Sequence, residues 1–158
     1  MNLLHIETEL EAITKMIWQP HLLDELVRIY DLDEATKTSA TLCACVHILG
    51  GWNGSVSIEC SKQMAEWVSR RMLYIDDDIE DYDWQSVMKE LCNVTGGNLK
   101  GLLGENCILS TPRALECNNF SFVIPETDEI LSLIFSCSDE YMIVRLHEGT
   151  IDYSLVDQ

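Results

Sequence analysis

The chain holds 158 residues, 47% of them apolar, and its mean hydropathy of +0.02 places it with globular rather than disordered proteins. Acidic side chains number 27 against 10 Lys and Arg, a net charge of −17. That surface repels nucleic-acid phosphates and anionic membranes, so neither is expected as a partner, and it suits a partner that offers a basic contact.

The length fits one compact domain, expected to span residues 1–158. Met1-Asn2-Leu3-Leu4-His5 lacks the basic patch and apolar run of a signal peptide. No stretch approaches the ~20 apolar residues of a membrane helix. The seven Cys are an odd number, mostly within apolar segments, and read as reduced core residues. A cytoplasmic protein is expected.

In chain order, Leu3, Ile6, Leu10, Ile13 and Ile17 recur at spacings of three and four, which predicts an amphipathic helix ended by Pro20. Leu22 to Tyr30 is read as a second helical stretch, and the polar run Asp31 to Ser39 as a loop; the role of residues 20–39 stays open. Period-two alternation takes over at Ala40, Leu42, Ala44, Val46 and Ile48. Gly50-Gly51-Trp52-Asn53-Gly54 then supplies turn chemistry, and Ser55 to Cys60 is extended again, so a hairpin is predicted. Ser61 suits the cap of a helix running to about Leu73.

After the acidic linker Asp76 to Asp81, a long helix is predicted over about Asp83 to Leu103. Strand-like segments follow at Ile108 to Leu115, Phe120 to Ile124, Glu129 to Cys137 and Tyr141 to His147, with a polar turn at Ser138-Asp139-Glu140. Short turns between strands, with the helices segregated from them, imply an α/β protein of the α+β type: an antiparallel sheet packed against long helices.

The long helix carries the candidate chemistry. At 100° per residue, Trp84, Val87, Met88, Leu91, Thr95, Leu99 and Leu102 share the stripe that packs on the sheet. Ser86, Glu90, Asn93 and Gly97, spaced four, three and four, fall together on the opposite side. A carboxylate there can hold a cationic group by a charge-assisted hydrogen bond. A carboxamide, with both donor and acceptor, can fix the orientation of a water molecule. Gly96 and Gly97 cost helix stability, and close approach by another macromolecule at an exposed position would compensate. The same residues also suit an ordinary solvated helix face, and spacing alone does not decide between the two.

Other constellations are weaker. Cys43, Cys45 and His47 alternate on one strand with zinc-like ligand types, but no second ligand pair appears at a matching spacing, and core packing is the reading adopted. The acidic run Asp76 to Asp83 lacks the Gly and closing Glu of a calcium loop. Gly96, Gly97, Gly101 and Gly104 come late in a helix rather than after a strand, without the Lys of a phosphate loop. His5, His21, His47 and His147 are scattered, and Trp18, Trp52, Trp67 and Trp84 are read as core.

Ser86-x-x-x-Glu90-x-x-Asn93 resembles the signature of the chemotaxis phosphatases of the CheC/CheX/FliY family. The run Glu90-Leu91-Cys92-Asn93-Val94-Thr95-Gly96-Gly97-Asn98 is similar to that family's helix, in its CheX branch. Gly54-Ser55-Val56 is similar to its Gly-Ser-Val strand, and Leu109-Ser110-Thr111-Pro112 to the proline-containing strand after the helix. The resemblance covers about Val46 to Pro112. CheC-type members carry the motif twice, whereas the first helix here offers Glu11-Ala12-Ile13-Thr14, with Thr in place of Asn. A single site agrees with the CheX branch.

The resemblance implies an aspartyl-phosphate phosphatase that acts on a CheY-like response regulator. It implies that Asn93 orients the attacking water and Glu90 docks to the regulator's Lys, while Ser86 and Gly97 line the contact. Mg²⁺ would come with the phosphorylated partner, so no cofactor or metal is expected in this chain, and a homodimer formed through sheet edges is compatible with the strand-rich C-terminal part. The alternative is a non-catalytic module that recognises a receiver domain, or another partner, through the same helix face.

Overall fold

The computed structural model describes residues 1–33 and 40–149. The expected loop from Asp31 to Ser39 therefore lies partly outside the described residues. Helix α1 spans Leu3–Trp18, capped by the Asn2 side chain, which accepts the His5 N–H at 3.1 Å. Pro20 sits in a single 3-10 turn, Gln19–His21, that ends it as the sequence predicted.

Leu22 to Tyr30 is not helical. It holds instead the short strand β1, Val27–Ile29, paired antiparallel with Ser136, Phe135 and Ile134. The four-residue spacing of Leu22 and Leu26 imitates a helix, and both are buried, but by a loop. The Gln19 amide holds that loop, accepting Leu26 N–H and donating to the Asp24 carbonyl, each at 2.8 Å. Local hydrogen bonds thus replace a helical ladder, and the open edge of the sheet supplies the rest.

Strands β2, Ala40–Leu49, and β3, Gly54–Ser61, form the predicted hairpin. Helix α2 covers Lys62–Leu73, with the Ser61 hydroxyl accepting Met64 N–H, and ends at Tyr74 in the left-handed region. Helix α3 runs over Asp81–Leu103 and starts in a capping box between Glu80 and Asp83. Asp81 and Asp83 lie in its first turn and Lys100 in its last, each complementing the helix dipole.

After α3 the expected strand Ile108 to Leu115 is broken in two. Strand β4 is Ile108–Leu109 and β5 is Arg113–Asn118, and both pair with β2. Pro112 has no N–H to give to the ladder, and Ser110 spans the gap by exchanging bonds with His47, backbone and hydroxyl, at 2.9 Å each.

Nor is Phe120 to Ile124 a strand. Asn119 and Phe120 both take positive φ, which turns the chain off the sheet edge. Strands β6, Asp128–Cys137, and β7, Glu140–Glu148, close the fold through a two-residue turn in which Ser138 and Asp139 both have positive φ.

The sheet is antiparallel with order β1-β6-β7-β3-β2-β4, and β5 extends the β4 edge of β2. Its helix-facing side carries Leu42, Ala44, Val46, Ile48, Val56, Ile58, Val144 and Leu146, in one core with α1, α2 and α3. The reverse side is polar but also covered: Ser55, Ser57, Glu59, Arg145 and His147 are all buried. Arg145 pairs with Glu59 at 2.8 Å and with Glu129 at 3.1 Å, and Phe122 N–H donates to Glu59 at 3.1 Å. Arg145 also donates to the Phe120 carbonyl, so this ion pair fastens the segment around Phe120 over the sheet.

Candidate functional site

The inner stripe of α3 is as predicted from Trp84 to Leu99, with two corrections. Leu102 is 39% exposed, and Leu103 makes the last core contact, in the cluster that also holds Trp52 and Cys107. Gly96 is buried rather than exposed: an ideal Cβ there would lie 2.9 Å from Val46 Cγ1 and 3.4 Å from Leu109 Cδ2. Its missing side chain lets α3 rest on β2 and β4, so an internal contact, not a partner, accounts for it. Gly97 is different. A Cβ there would meet nothing within 4 Å among the described residues.

On the outer side, Glu90 and Gly97 are exposed and Ser86 and Asn93 half-buried. Glu90 and Asn93 are one turn apart, which for an i, i+3 pair puts their Cβ atoms about 5–6 Å from each other. No hydrogen bond or ion pair engages the Glu90 carboxylate or the Asn93 amide among the described residues. Buried neighbours Leu91, Cys92 and Thr95 fix the backbone beneath them; the Thr95 hydroxyl donates to Leu91 O at 2.7 Å and the Cys92 thiol to Val56 O at 3.6 Å. A rigid helix therefore presents an acceptor-only group and a donor–acceptor group side by side, both free for a second molecule. Tyr82, which sequence reasoning passed over, is 78% exposed one turn before Ser86 and within about 80° of the same face. Its signal was an aromatic four residues before Ser86.

The Glu-x-x-Thr copy in α1 has neither freedom. Glu11 takes Arg28 at 2.7 Å and Lys15 at 3.4 Å, and Arg28 above all holds its carboxyl below the usual range. Thr14 is 1% exposed and donates to Leu10 O at 2.7 Å.

Cys43 and Cys45 are core residues, as read, with burial holding both thiols protonated and Cys45 pushed up to about 11. His47 Nδ1 shares a hydrogen with Ser55 at 2.6 Å. Across β3, His147 Nε2 meets Ser57 at 3.0 Å, and burial, then Arg145 and His47, lower this ring to about 4. Sequence distance had hidden that neighbourhood. Of the four Trp, Trp18, Trp52 and Trp84 are buried, while Trp67 is only partly covered. Among the described residues no helix is long and apolar enough to cross a membrane.

An antiparallel sheet backed by three helices, one presenting an outward Glu and Asn, defines the class. The sequence profile described as "Chemotaxis phosphatase CheX" matches residues 42–136, more than half of the chain. The chain belongs to the CheX family of chemotaxis phosphatases. Solved structures share the fold at low identity. The chemotaxis protein CheX of Vibrio vulnificus superposes with a TM-score of 0.74 at 15% identity, covering 90% of this chain and 95% of that one. A CheC-like superfamily protein of Shewanella sp. PV-4 gives 0.75 at 17%, covering 95% and 100%. CheX from a CheX–CheY–BeF3–Mg²⁺ complex of Borrelia burgdorferi gives 0.67 at 16%, covering 89% and 96%. No curated protein matches the chain significantly.

Proposed function

We propose that this protein, one domain acting in the cytoplasm, hydrolyses the aspartyl phosphate of a CheY-like response regulator. The observation that carries the reading is the outward Glu90–Asn93 pair on α3, without a partner among the described residues, in a chain of the CheX family. A family neighbour solved in complex with CheY and Mg²⁺ supports a receiver domain as the partner.

In this reading α3 lies across the regulator's active site, and Glu90 binds the regulator's active-site Lys by a charge-assisted bond. The Asn93 amide enters beside the phosphoryl group and holds one water in line with the phosphorus. Phosphoryl transfer asks little covalent chemistry of a protein, so positioning and electrostatics supply the acceleration. Mg²⁺ belongs to the regulator. Ser86, half-buried, and Gly97, with open space above it, let the partner approach the helix closely. Two copies would associate through a flank of the sheet, where β1 and β4–β5 are the outer strands. Sedimentation velocity tests that association: a single monomeric species would remove it.

The test of function is decay of a radiolabelled phosphorylated receiver with and without the chain. Faster decay that requires Asn93 is expected. Binding to the phosphorylated receiver without faster decay would instead make the chain a recognition module.

A further inference from the structure

Away from α3, a cavity of about 500 Å³ opens at the C-terminal end of α2. Trp67, Arg70 and Arg71 of α2 line it, together with His21 at the end of the 3-10 turn and Leu23 just beyond it. Cys137 and Ser138, at the β6–β7 turn, also line it. Hydrogen bonds hold the walls in place. Tyr74 and Ile75 both return their N–H groups to the Arg70 carbonyl, and the Arg70 guanidinium donates to the Asp77 carbonyl. On the far side, Gln19 brackets the loop at Asp24 and Leu26, and Cys137 Sγ reaches the Asp24 carbonyl at 3.5 Å. Such a cavity exists before any ligand arrives, and its size lies within the ~300–1,000 Å³ of small-molecule sites.

We propose that this cavity binds a small aromatic monoanion, a ring compound bearing one carboxylate or sulfonate. The ring would lie on Trp67 and Ile75, beneath Leu23, whose side chain is 92% exposed and left open to water without it. The anionic group would pair with Arg71. Arg70 is engaged with the Asp77 carbonyl, whereas Arg71 makes no hydrogen bond or ion pair among the described residues. A guanidinium stays charged at any physiological pH, and its planar fork of donors can meet two oxygens of a carboxylate or a sulfonate. His21 adds no second cation near pH 7, because burial, and then the charge of Arg71, lower its pKa. The acids Asp24 and Asp76 at the same cavity oppose a dianion, so a single charge fits better than a phosphate monoester. No residue of α3 lines the cavity, and the proposal is independent of the phosphatase reading.

The probe is 8-anilinonaphthalene-1-sulfonate, followed by fluorescence on the folded chain at pH 7, beside the neutral N-phenyl-1-naphthylamine. One saturable site is expected for the sulfonate. Arg71→Gln, at an exposed position, should weaken it about tenfold, the worth of one charge-assisted bond, and leave the neutral compound unchanged. Trp67→Leu should weaken both. Circular dichroism melts confirm that each variant is folded. Unchanged sulfonate affinity in Arg71→Gln, equal weakening of both probes, or no saturable binding up to about 1 mM overturns the proposal.

Discussion

Gly96 brings α3 onto Val46 of β2 so closely that a methyl group at position 96 would overlap Val46 Cγ1. Its neighbour Gly97 points into open space. Two adjacent glycines in one helix thus have different causes, the first serving the core and the second a free surface.

Alanine at the two positions should therefore have opposite effects on stability. At Gly97 it should stabilise by about 1 kcal/mol, the ordinary helix-propensity gain. At Gly96 overpacking against a stiff β-branched side chain, typically about 1–3 kcal/mol, should exceed that gain and destabilise. Urea denaturation of both variants checks this, and two stabilised variants would mean that α3 stands farther from β2. Gly97→Ala should also weaken receiver binding, since its methyl would stand in the contact.

Arg145 is 5% exposed and neutralises Glu59, which is fully buried. Arg145→Met strands that carboxylate and should cost about 3–5 kcal/mol in urea unfolding. Adding Glu59→Gln should recover a large part of the loss. A double variant as unstable as the single one would show that the charge pair is not the cause.

The buried His147 ring links stability to pH. Its folded pKa is about 4 against 6.5 unperturbed, so between those values the unfolded chain binds a proton that the folded chain refuses. This contribution is complete above pH 6.5 and is lost as pH falls through the interval, on the order of 3 kcal/mol in all. Denaturant midpoints from pH 7 to pH 4 should fall less steeply in His147→Gln. NMR of the ring should show it neutral at pH 5.5; a ring titrating near 6.5 would contradict the burial.

Glu90→Lys places a cation where a cation is to be met. Titration calorimetry against a receiver domain should show binding weakened at least about tenfold, from one charge-assisted bond lost and one repulsion gained. Equal affinity would remove Glu90 from the contact.

The sequence made legible what depends on periodicity and local chemistry. The burial of Trp84 through Leu99, the β2–β3 hairpin and the Ser61 cap all follow from patterns within a few residues. What it obscured was decided from far along the chain. Val27–Ile29 became a strand because β6 offers an edge, and Gly96 is buried because Val46 faces it. Phe120 to Ile124 left the sheet for contacts with Glu59 and Arg145. The outward placement of Glu90 and Asn93 was legible from spacing, but their freedom from partners was not: in the Glu-x-x-Thr of α1 the carboxylate of Glu11 is taken by Lys15 and by Arg28, the latter a contact that no local pattern shows.

The most direct measurement follows the decay of a phosphorylated CheY-like receiver in the presence of wild-type chain and of Asn93→Ala. With wild type, decay should accelerate well above the receiver's own rate. With the variant it should return to that rate, while circular dichroism and receiver binding stay close to wild type. Undiminished acceleration by Asn93→Ala would contradict the account, because the water would then be oriented by something other than the exposed face of α3.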